Sequence, residues 1–158
     1  MTGAVVVLIL PMTPQDVDDI VEIEKLSFST PWSRSALLGE LRYPRQAVYL
    51  VARVKGRIVG YVGMWTVGDE GHITNIAVHP DFRGKGIGTR LLSFLIAVAY
   101  SRGIGALTLE VRVSNVRARK LYERMGFVAA GIRPGYYSDN NEDAIVMWRR
   151  EKTSYLAF

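Results

Sequence analysis

The chain has 158 residues, of which 49% are hydrophobic and 22% are charged. This composition predicts a globular protein with a real core, and we expect one domain spanning residues 1–158. The absence of cysteine excludes disulfides, thiolate metal sites and an acyl-cysteine intermediate, and we expect no metal. No stretch approaches the ~20 apolar residues of a membrane span, so we expect a cytoplasmic protein without a membrane partner.

The formal net charge is +5. A positive charge is compatible with nucleic-acid binding, but it also suits a ligand that carries several phosphate charges. Charge alone leaves both classes of partner open.

The first half of the chain begins with an apolar run at residues 4–10. The run is too short for a signal peptide and lacks a preceding basic residue, so we predict a first strand. Thr13 and Pro14 favour the start of a helix that fades near Phe28. Ser33 can cap a short second helix that ends near residue 41.

Three strands are then predicted at residues 46–54, 57–67 and 71–78. The joins between them are short, which favours an antiparallel meander. Next come a loop and a long amphipathic helix that ends near Gly103.

The loop at residues 83–88 contains three glycines, Arg83 and Lys85. Glycines at a helix entrance let the backbone approach a ligand, and the free N–H groups of the first turn favour anions. The loop therefore predicts binding of a phosphate or diphosphate. Its spacing fits neither the P-loop nor the dinucleotide-binding fingerprint, and a glycine-rich turn with solvated charges is the plain alternative.

Apolar residues alternate with polar ones from Leu107 to Val113, which predicts a strand with one buried face and places Glu110 on the other. Asn115 is a good N-cap for a helix that would stop at Gly126. Residues 127–132 and 144–148 predict the last two strands.

The motifs resemble, in order, those of one family. Arg83-Gly-Lys-Gly-Ile-Gly88 resembles the coenzyme signature of the GNAT N-acetyltransferases, and the likeness continues through the segments at 109–115, 121–127 and 136–143. It is closest to the protein N-terminal acetyltransferases of the ribosomal-protein-alanine (RimI) type, with features of archaeal and NatA-type subunits. The resemblance implies an α/β (α+β) GNAT fold, with a mixed, mostly antiparallel sheet of about seven strands and about four helices.

The resemblance also implies that acetyl-coenzyme A is the co-substrate. The signature loop and the start of its helix would bind the diphosphate, and the backbone of the preceding strand would contact pantetheine and the acetyl group, with the Val78 N–H as oxyanion donor. Asn115 would also contact the coenzyme, although capping explains it equally well. The implied coenzyme residues are Ile76, Ala77, Val78, Arg83, Gly84, Lys85, Gly86, Ile87, Gly88, Thr89 and Asn115.

Three residues are catalytic candidates. Glu110 falls where the RimI type has its proton acceptor, although an ordinary surface glutamate is the plain reading. Tyr122 falls where the family places a tyrosine beside the coenzyme sulfur; a buried structural tyrosine is the alternative. His72 could share the role of base, as in some archaeal relatives, or be structural.

The resemblance places the groove for the acceptor peptide between two segments. Phe28, Pro31 and Trp32 would form one wall, and Tyr136 and Tyr137, in a glycine-containing loop, would form the other. A hydrophobic staple for the second helix explains Phe28 and Trp32 equally well.

The predicted function is acetylation of a protein N-terminus, possibly that of a ribosomal protein, by direct attack in a ternary complex. A free α-amine has a pKa near ~7.7–8.0, against ~10.4 for lysine, so it needs only modest base assistance. An acetyltransferase for a small amine or for protein lysine is a rival, and a non-catalytic RNA- or ribosome-binding domain is a rival of another class. The predicted reaction requires no nucleic acid, and the sequence leaves the oligomeric state open.

Overall fold

The computed structural model describes residues 6–151, which form a seven-stranded sheet in the order β1-β2-β3-β4-β5-β7-β6. Only β4 and β5 pair in parallel, so the predicted mixed, mostly antiparallel sheet is confirmed. The strands are β1 (Val7–Pro11), β2 (Ala47–Val54), β3 (Arg57–Val67), β4 (Glu70–Val78), β5 (Ala106–Arg112), β6 (Val128–Tyr137) and β7 (Glu142–Arg150).

Four helices flank the sheet, as predicted: α1 (Val17–Ser27), α2 (Arg34–Glu40), α3 (Ile87–Ser101) and α4 (Val116–Arg124). The buried face of α3 packs on one side of the sheet, and α1 and α2 pack on the other. Strands β2 and β3 are therefore buried on both faces. Within residues 6–151, no helix is long and apolar enough to cross a membrane.

Two strand predictions need correction. The first strand was expected at residues 4–10, but β1 spans Val7–Pro11, and residues 4 and 5 lie outside the described part of the chain. The last two strands were expected to be short, yet β6 reaches Tyr137, which pairs with Glu142 of β7. Pro134 and Gly135 normally indicate the end of a strand. Here the β6–β7 pairing shifts its register between Arg133 and Tyr137, so β6 continues past them.

The feature that positions the site is the short contact between β4 and β5. These parallel strands pair only over Glu70–His72 and Ala106–Thr108. From there β5 continues along β7 and β4 continues along β3, so the two strands separate. A sheet that opens between two parallel strands leaves backbone groups free along both inner edges.

A β-bulge lies in β4 at the start of this opening. Gly63 of β3 is opposite Asn75, whereas Met64 is opposite Ile73, so Thr74 is an extra residue. The ring of Tyr49 lies over Gly63, and its hydroxyl is 3.4 Å from the Thr74 hydroxyl. Gly63 therefore leaves the space in which Tyr49 supports the bulge.

We expect Gly63→Ala to lower the free energy of unfolding by about 1–3 kcal/mol, because a Cβ would lie 2.3 Å from the buried Tyr49 ring. Urea denaturation measures the change. Gly39→Ala in α2 is the matched control: nothing lies within 4 Å of its added Cβ, so stability should stay unchanged or rise by up to ~1 kcal/mol. Equal effects of the two substitutions would contradict this account of the bulge.

Candidate active site

A cleft of about 740 Å³ occupies the opening between β4 and β5. Its walls come from these two strands, the loop at residues 83–88, the start of α3, α4 and the segment between α1 and α2. The predicted coenzyme residues line this cleft, with the exception of Lys85, whose ammonium group lies 5.4 Å from the centre of the Phe82 ring.

One end of the cleft is built from backbone donors. Gly84 and Gly86 have φ angles of 77° and 79°, a left-handed conformation that glycine adopts readily, and α3 begins directly after Gly86. Because the first N–H groups of a helix have no intrahelical acceptor, this end of the cleft attracts anions. The geometry fits a diphosphate.

The cations near this end of the cleft differ in part from those that the sequence predicts. The Arg83 guanidinium turns back and donates to the Val78 carbonyl at 2.9 Å and to the Ser27 hydroxyl at 3.1 Å. Two arginines of α4, Arg117 and Arg124, line the cleft. The sequence indicates them only as part of a basic face, with Arg119 and Lys120, on which the rival RNA- or ribosome-binding domain would be built. The Arg117 guanidinium also approaches the loop: its Nη2 atom lies 3.6 Å from the point that a Cβ on Gly84 would occupy. The position of Arg117 in the first turn of α4 does not by itself predict that it lines the cleft.

The inner edge of β4 offers free N–H groups. The His79 N–H donates to the Val59 carbonyl of β3. Since successive peptide groups of a strand point to opposite sides, the Val78 N–H points into the opening. The Val78 carbonyl points the same way, because the Arg83 guanidinium reaches it there. This is the geometry that the oxyanion prediction requires.

Glu110 lies on β5 on the opposite side of the opening. Its neighbours Leu109 and Val111 are buried in the core, as the alternation predicted. The Glu110 carboxylate is 2.5 Å from His72 Nε2 and 3.7 Å from the Arg133 guanidinium. His72 does not line the cleft itself and contacts it through Glu110.

This pairing determines the charge state of Glu110. The hydrogen bond with His72 holds the pKa of the Glu110 carboxyl below its ordinary value, although partial burial acts in the opposite direction. The charge of Arg133 adds to the lowering. Glu110 is therefore a carboxylate at neutral pH and a weak base on its own.

Tyr122 projects from α4 into the same cleft. Its side chain is 6% exposed, and its ring packs against Phe127. Burial raises the pKa of the Tyr122 phenol, and the charge of Tyr137 adds to this effect. Among residues 6–151 its hydroxyl has no hydrogen-bond partner, unlike an ordinary structural tyrosine, so it is free to donate into the cleft.

Asn115 caps α4, as the sequence predicted. Its side-chain oxygen accepts from the Ala118 N–H at 3.2 Å. Because the cap uses only this oxygen, the amide nitrogen is left for the cleft that Asn115 also lines.

The other end of the cleft is aromatic. Phe28, Trp32 and Tyr137 line it, whereas Pro31 and Tyr136 do not. Tyr136 and Tyr137 lie on β6, so their predicted placement in a loop is wrong. The Arg112 guanidinium lies 3.9 Å from the centre of the Tyr137 ring and also binds Asp139 of the following turn.

Glu24, which is not among the predicted site residues, lines the cleft at this aromatic end and is completely buried. It accepts hydrogen bonds from the Trp32 N–H at 2.9 Å and the Tyr61 hydroxyl at 2.7 Å. Burial raises the pKa of Glu24, against the effect of these two donors. Its position on the inward face of α1, where an apolar residue is expected, was the available signal.

A helix entrance that suits a diphosphate, an opened parallel strand pair, and a carboxylate and a tyrosine in one cleft are compatible with an acyl-coenzyme A-dependent transferase. The sequence profile of the acetyltransferase (GNAT) family matches residues 17–127. The chain belongs to this family, whose members use acetyl-coenzyme A.

Relatives of known name support the same class. The chain is 42% identical to a Bacillus subtilis protein provisionally named a [ribosomal protein bS18]-alanine N-acetyltransferase, over 87% of this chain and 91% of that protein. It is 37% identical to the [ribosomal protein bS18]-alanine N-acetyltransferase of Escherichia coli K12, over 84% of this chain and 89% of the relative.

Solved structures give the same result. The Escherichia coli ribosomal-protein-S18-alanine N-acetyltransferase superposes with a TM-score of 0.86 and 32% identity, covering 97% of this chain and all of that one (100%). Ard1 from Thermoplasma volcanium gives a TM-score of 0.85 and 28% identity, over 92% of this chain and 98% of the other.

We expect His72→Ala to raise the pKa of Glu110, because the largest lowering influence is removed. A carboxylate with a lowered folded-state pKa contributes stability that is present above its ordinary pKa and is lost as the pH falls through the folded-state value. The variant should therefore lose less stability than the wild type on acidification below the ordinary value of 4.5.

Carboxyl-carbon NMR titration and urea unfolding at several acidic pH values measure these changes. His79→Ala removes the other histidine, which is remote from Glu110, and should leave the Glu110 titration unchanged. An unchanged titration in His72→Ala would show that the pair does not set the charge of Glu110.

Proposed function

We propose that this protein transfers the acetyl group of acetyl-coenzyme A to the N-terminal α-amine of a protein. The observation that carries the proposal is that Glu110 of β5 and Tyr122 of α4 line the same cleft as a helix entrance that suits a diphosphate. Acetyl transfer from a thioester to an amine needs a proton acceptor, a stabilised oxyanion and a donor to the leaving sulfur.

The residues present fit acetyl-coenzyme A as the co-substrate. The N–H groups at the start of α3 can hold its diphosphate, and Arg117 and Arg124 supply cations at the same wall. The free edge of β4 can pair with the amide groups of pantetheine, as a neighbouring strand would. This arrangement directs the thioester to the part of the cleft between Glu110 and Tyr122.

The proposed reaction is a direct attack. The amine nitrogen forms a bond with the thioester carbonyl carbon, the carbonyl oxygen accepts from the Val78 N–H, and the C–S bond then breaks. The Glu110–His72 pair takes the amine proton, and the Tyr122 hydroxyl hydrogen-bonds the departing sulfur. A phenol with a raised pKa remains protonated, so stabilisation of the thiolate by hydrogen bonding is the role that fits Tyr122.

The low pKa of Glu110 favours an α-amine over lysine. An α-amine (pKa ~7.7–8.0) is partly neutral near pH 7, whereas a lysine amine (pKa ~10.4) needs a stronger base. The aromatic end of the cleft, between Trp32 and Tyr137, also suits an extended chain terminus. From the names of the relatives, we propose the N-terminal alanine of a ribosomal protein as the acceptor, which places the reaction in the cytoplasm.

Short peptides test the acceptor class. Peptides with a free N-terminal alanine should be acetylated, and the same peptides with a blocked N-terminus and an internal lysine should not. Mass spectrometry of the products locates the acetyl group. Acetylation of the blocked peptides at a comparable rate would favour the lysine acetyltransferase alternative.

We expect Glu110→Gln to lower kcat/KM by about 10²–10⁴-fold at neutral pH, because the proton acceptor is lost. Because Glu110 acts after a neutral amine has attacked, the fold-defect should stay about constant as the pH passes the pKa of the acceptor α-amine. Initial rates across this pH range measure it. A defect that disappears once the amine is neutral would contradict proton removal after attack and would assign Glu110 to deprotonation of the free ammonium group.

We expect Tyr122→Phe to lower kcat by about 10-fold or more while leaving the folded state intact, since no hydrogen bond within residues 6–151 is lost. Tyr100→Phe is the matched control, because the Tyr100 hydroxyl is also buried without a partner among the described residues and lies outside the cleft. Steady-state kinetics and thermal unfolding separate the two effects. Equal kcat values for both variants would remove Tyr122 from the chemistry.

A further inference from the structure

A second, smaller concavity of about 390 Å³ lies behind Trp32, on the side away from the cleft. We call it the aromatic notch, and its lining comprises Trp32, Ala36, Gly39, Glu40, Tyr43 and Trp65, together with Ser35. Trp32 lines both the notch and the aromatic end of the cleft.

The aromatic side chains of the notch are incompletely buried. Tyr43 is 54% exposed, and its ring meets that of Trp65 edge to face, with the ring centres 5.8 Å apart. Trp32 and Trp65 are half-buried. Three aromatic rings with accessible surface around one concavity form a setting that attracts cations, because the face of each ring is electron-rich.

Glu40 supplies a formal negative charge at the same place. Burial raises the pKa of its carboxyl, and among residues 6–151 the carboxylate forms no ion pair or hydrogen bond. The charges of Glu40 and Glu24 both act on the Tyr49 hydroxyl, whose pKa burial raises to about 12. Glu40 therefore lies near enough to Tyr49 for its charge to act on that hydroxyl.

We propose that the aromatic notch binds a lysine or arginine side chain of the acceptor polypeptide, a few residues after the N-terminus that enters the cleft. The inference rests on the proposed function and adds a specificity-determining subsite to it. A carboxylate without a partner, surrounded by aromatic rings, complements a cation better than any other side chain. Because Trp32 separates the two sites, an extended chain that leaves the cleft over Trp32 would bring its next residues to the notch.

A lysine walk tests the notch. The peptides share a free N-terminal alanine and carry one lysine at successive downstream positions, with glutamine as the neutral counterpart at each. The wild type should acetylate every peptide, and kcat/KM should be about 3- to 10-fold higher for lysine than for glutamine at one or two positions. Added salt should weaken this preference.

Variants of the notch should lose the preference but keep the reaction. Glu40→Gln removes the charge, and Tyr43→Ala removes an exposed ring, so the second variant tests the notch even if the first does not fold. With the glutamine peptides both should react at the wild-type rate. Glu22→Gln, which removes an exposed carboxylate paired with Lys25 on α1, should keep the full preference.

The outcomes separate the notch from the proposed function. If no peptide is acetylated, the proposed function fails and the notch proposal fails with it. If all peptides react but lysine and glutamine give equal rates at every position, only the notch proposal is overturned. A lysine preference that survives in both Glu40→Gln and Tyr43→Ala would also overturn it.

Discussion

The separation of β4 from β5 is the constraint on which the rest of the site depends. The two strands pair at only three positions. Beyond the bulge at Thr74, β4 continues to pair with β3 and no longer pairs with β5. The freed peptide groups of β4 need hydrogen-bond partners, because an unpaired buried backbone group costs about as much as a lost hydrogen bond. The Arg83 guanidinium takes one carbonyl, and the N–H groups remain for a ligand. The same opening leaves the inner edge of β5, the strand that carries Glu110, beside a cavity instead of a neighbouring strand.

Charge is distributed unequally along the cleft. The end at the signature loop has free N–H groups and the Arg117 guanidinium, whereas the aromatic end has Glu24, the ion-paired Arg112 and, behind Trp32, Glu40. Because Glu24 is completely buried, the partly exposed Glu40 is the acidic group of this pair that a protein with a net charge of +5 offers to solvent beside the cleft. The proposed cationic segment of the acceptor would meet this carboxylate, and the diphosphate of the proposed co-substrate would meet the donors at the other end.

Much of the fold and part of the site could be predicted from local patterns. Strand alternation is enough to place Glu110 opposite the core, and glycine at a helix entrance is enough to indicate an anion site. The rest depends on contacts between distant segments. The pairing of His72 with Glu110 requires the parallel register of β4 and β5, and the inward turn of Arg83 requires Ser27 of α1. Glu24 is marked locally only by its place on the inward face of α1, and Arg117 has no such mark, since tertiary packing turns both towards the cleft.

The protonation states of Glu110 and Tyr122 indicate when the amine loses its proton. With its pKa lowered, Glu110 cannot efficiently deprotonate a free α-ammonium group, whose pKa is near ~8. Once the amine nitrogen has bonded to the carbonyl carbon, however, its attached proton becomes far more acidic, and a weak carboxylate base is then sufficient. Tyr122 stays protonated throughout, because burial raises its pKa. In the proposed mechanism the site therefore uses an amine that is already neutral and removes the proton after attack, which would favour a protein N-terminus over a lysine side chain.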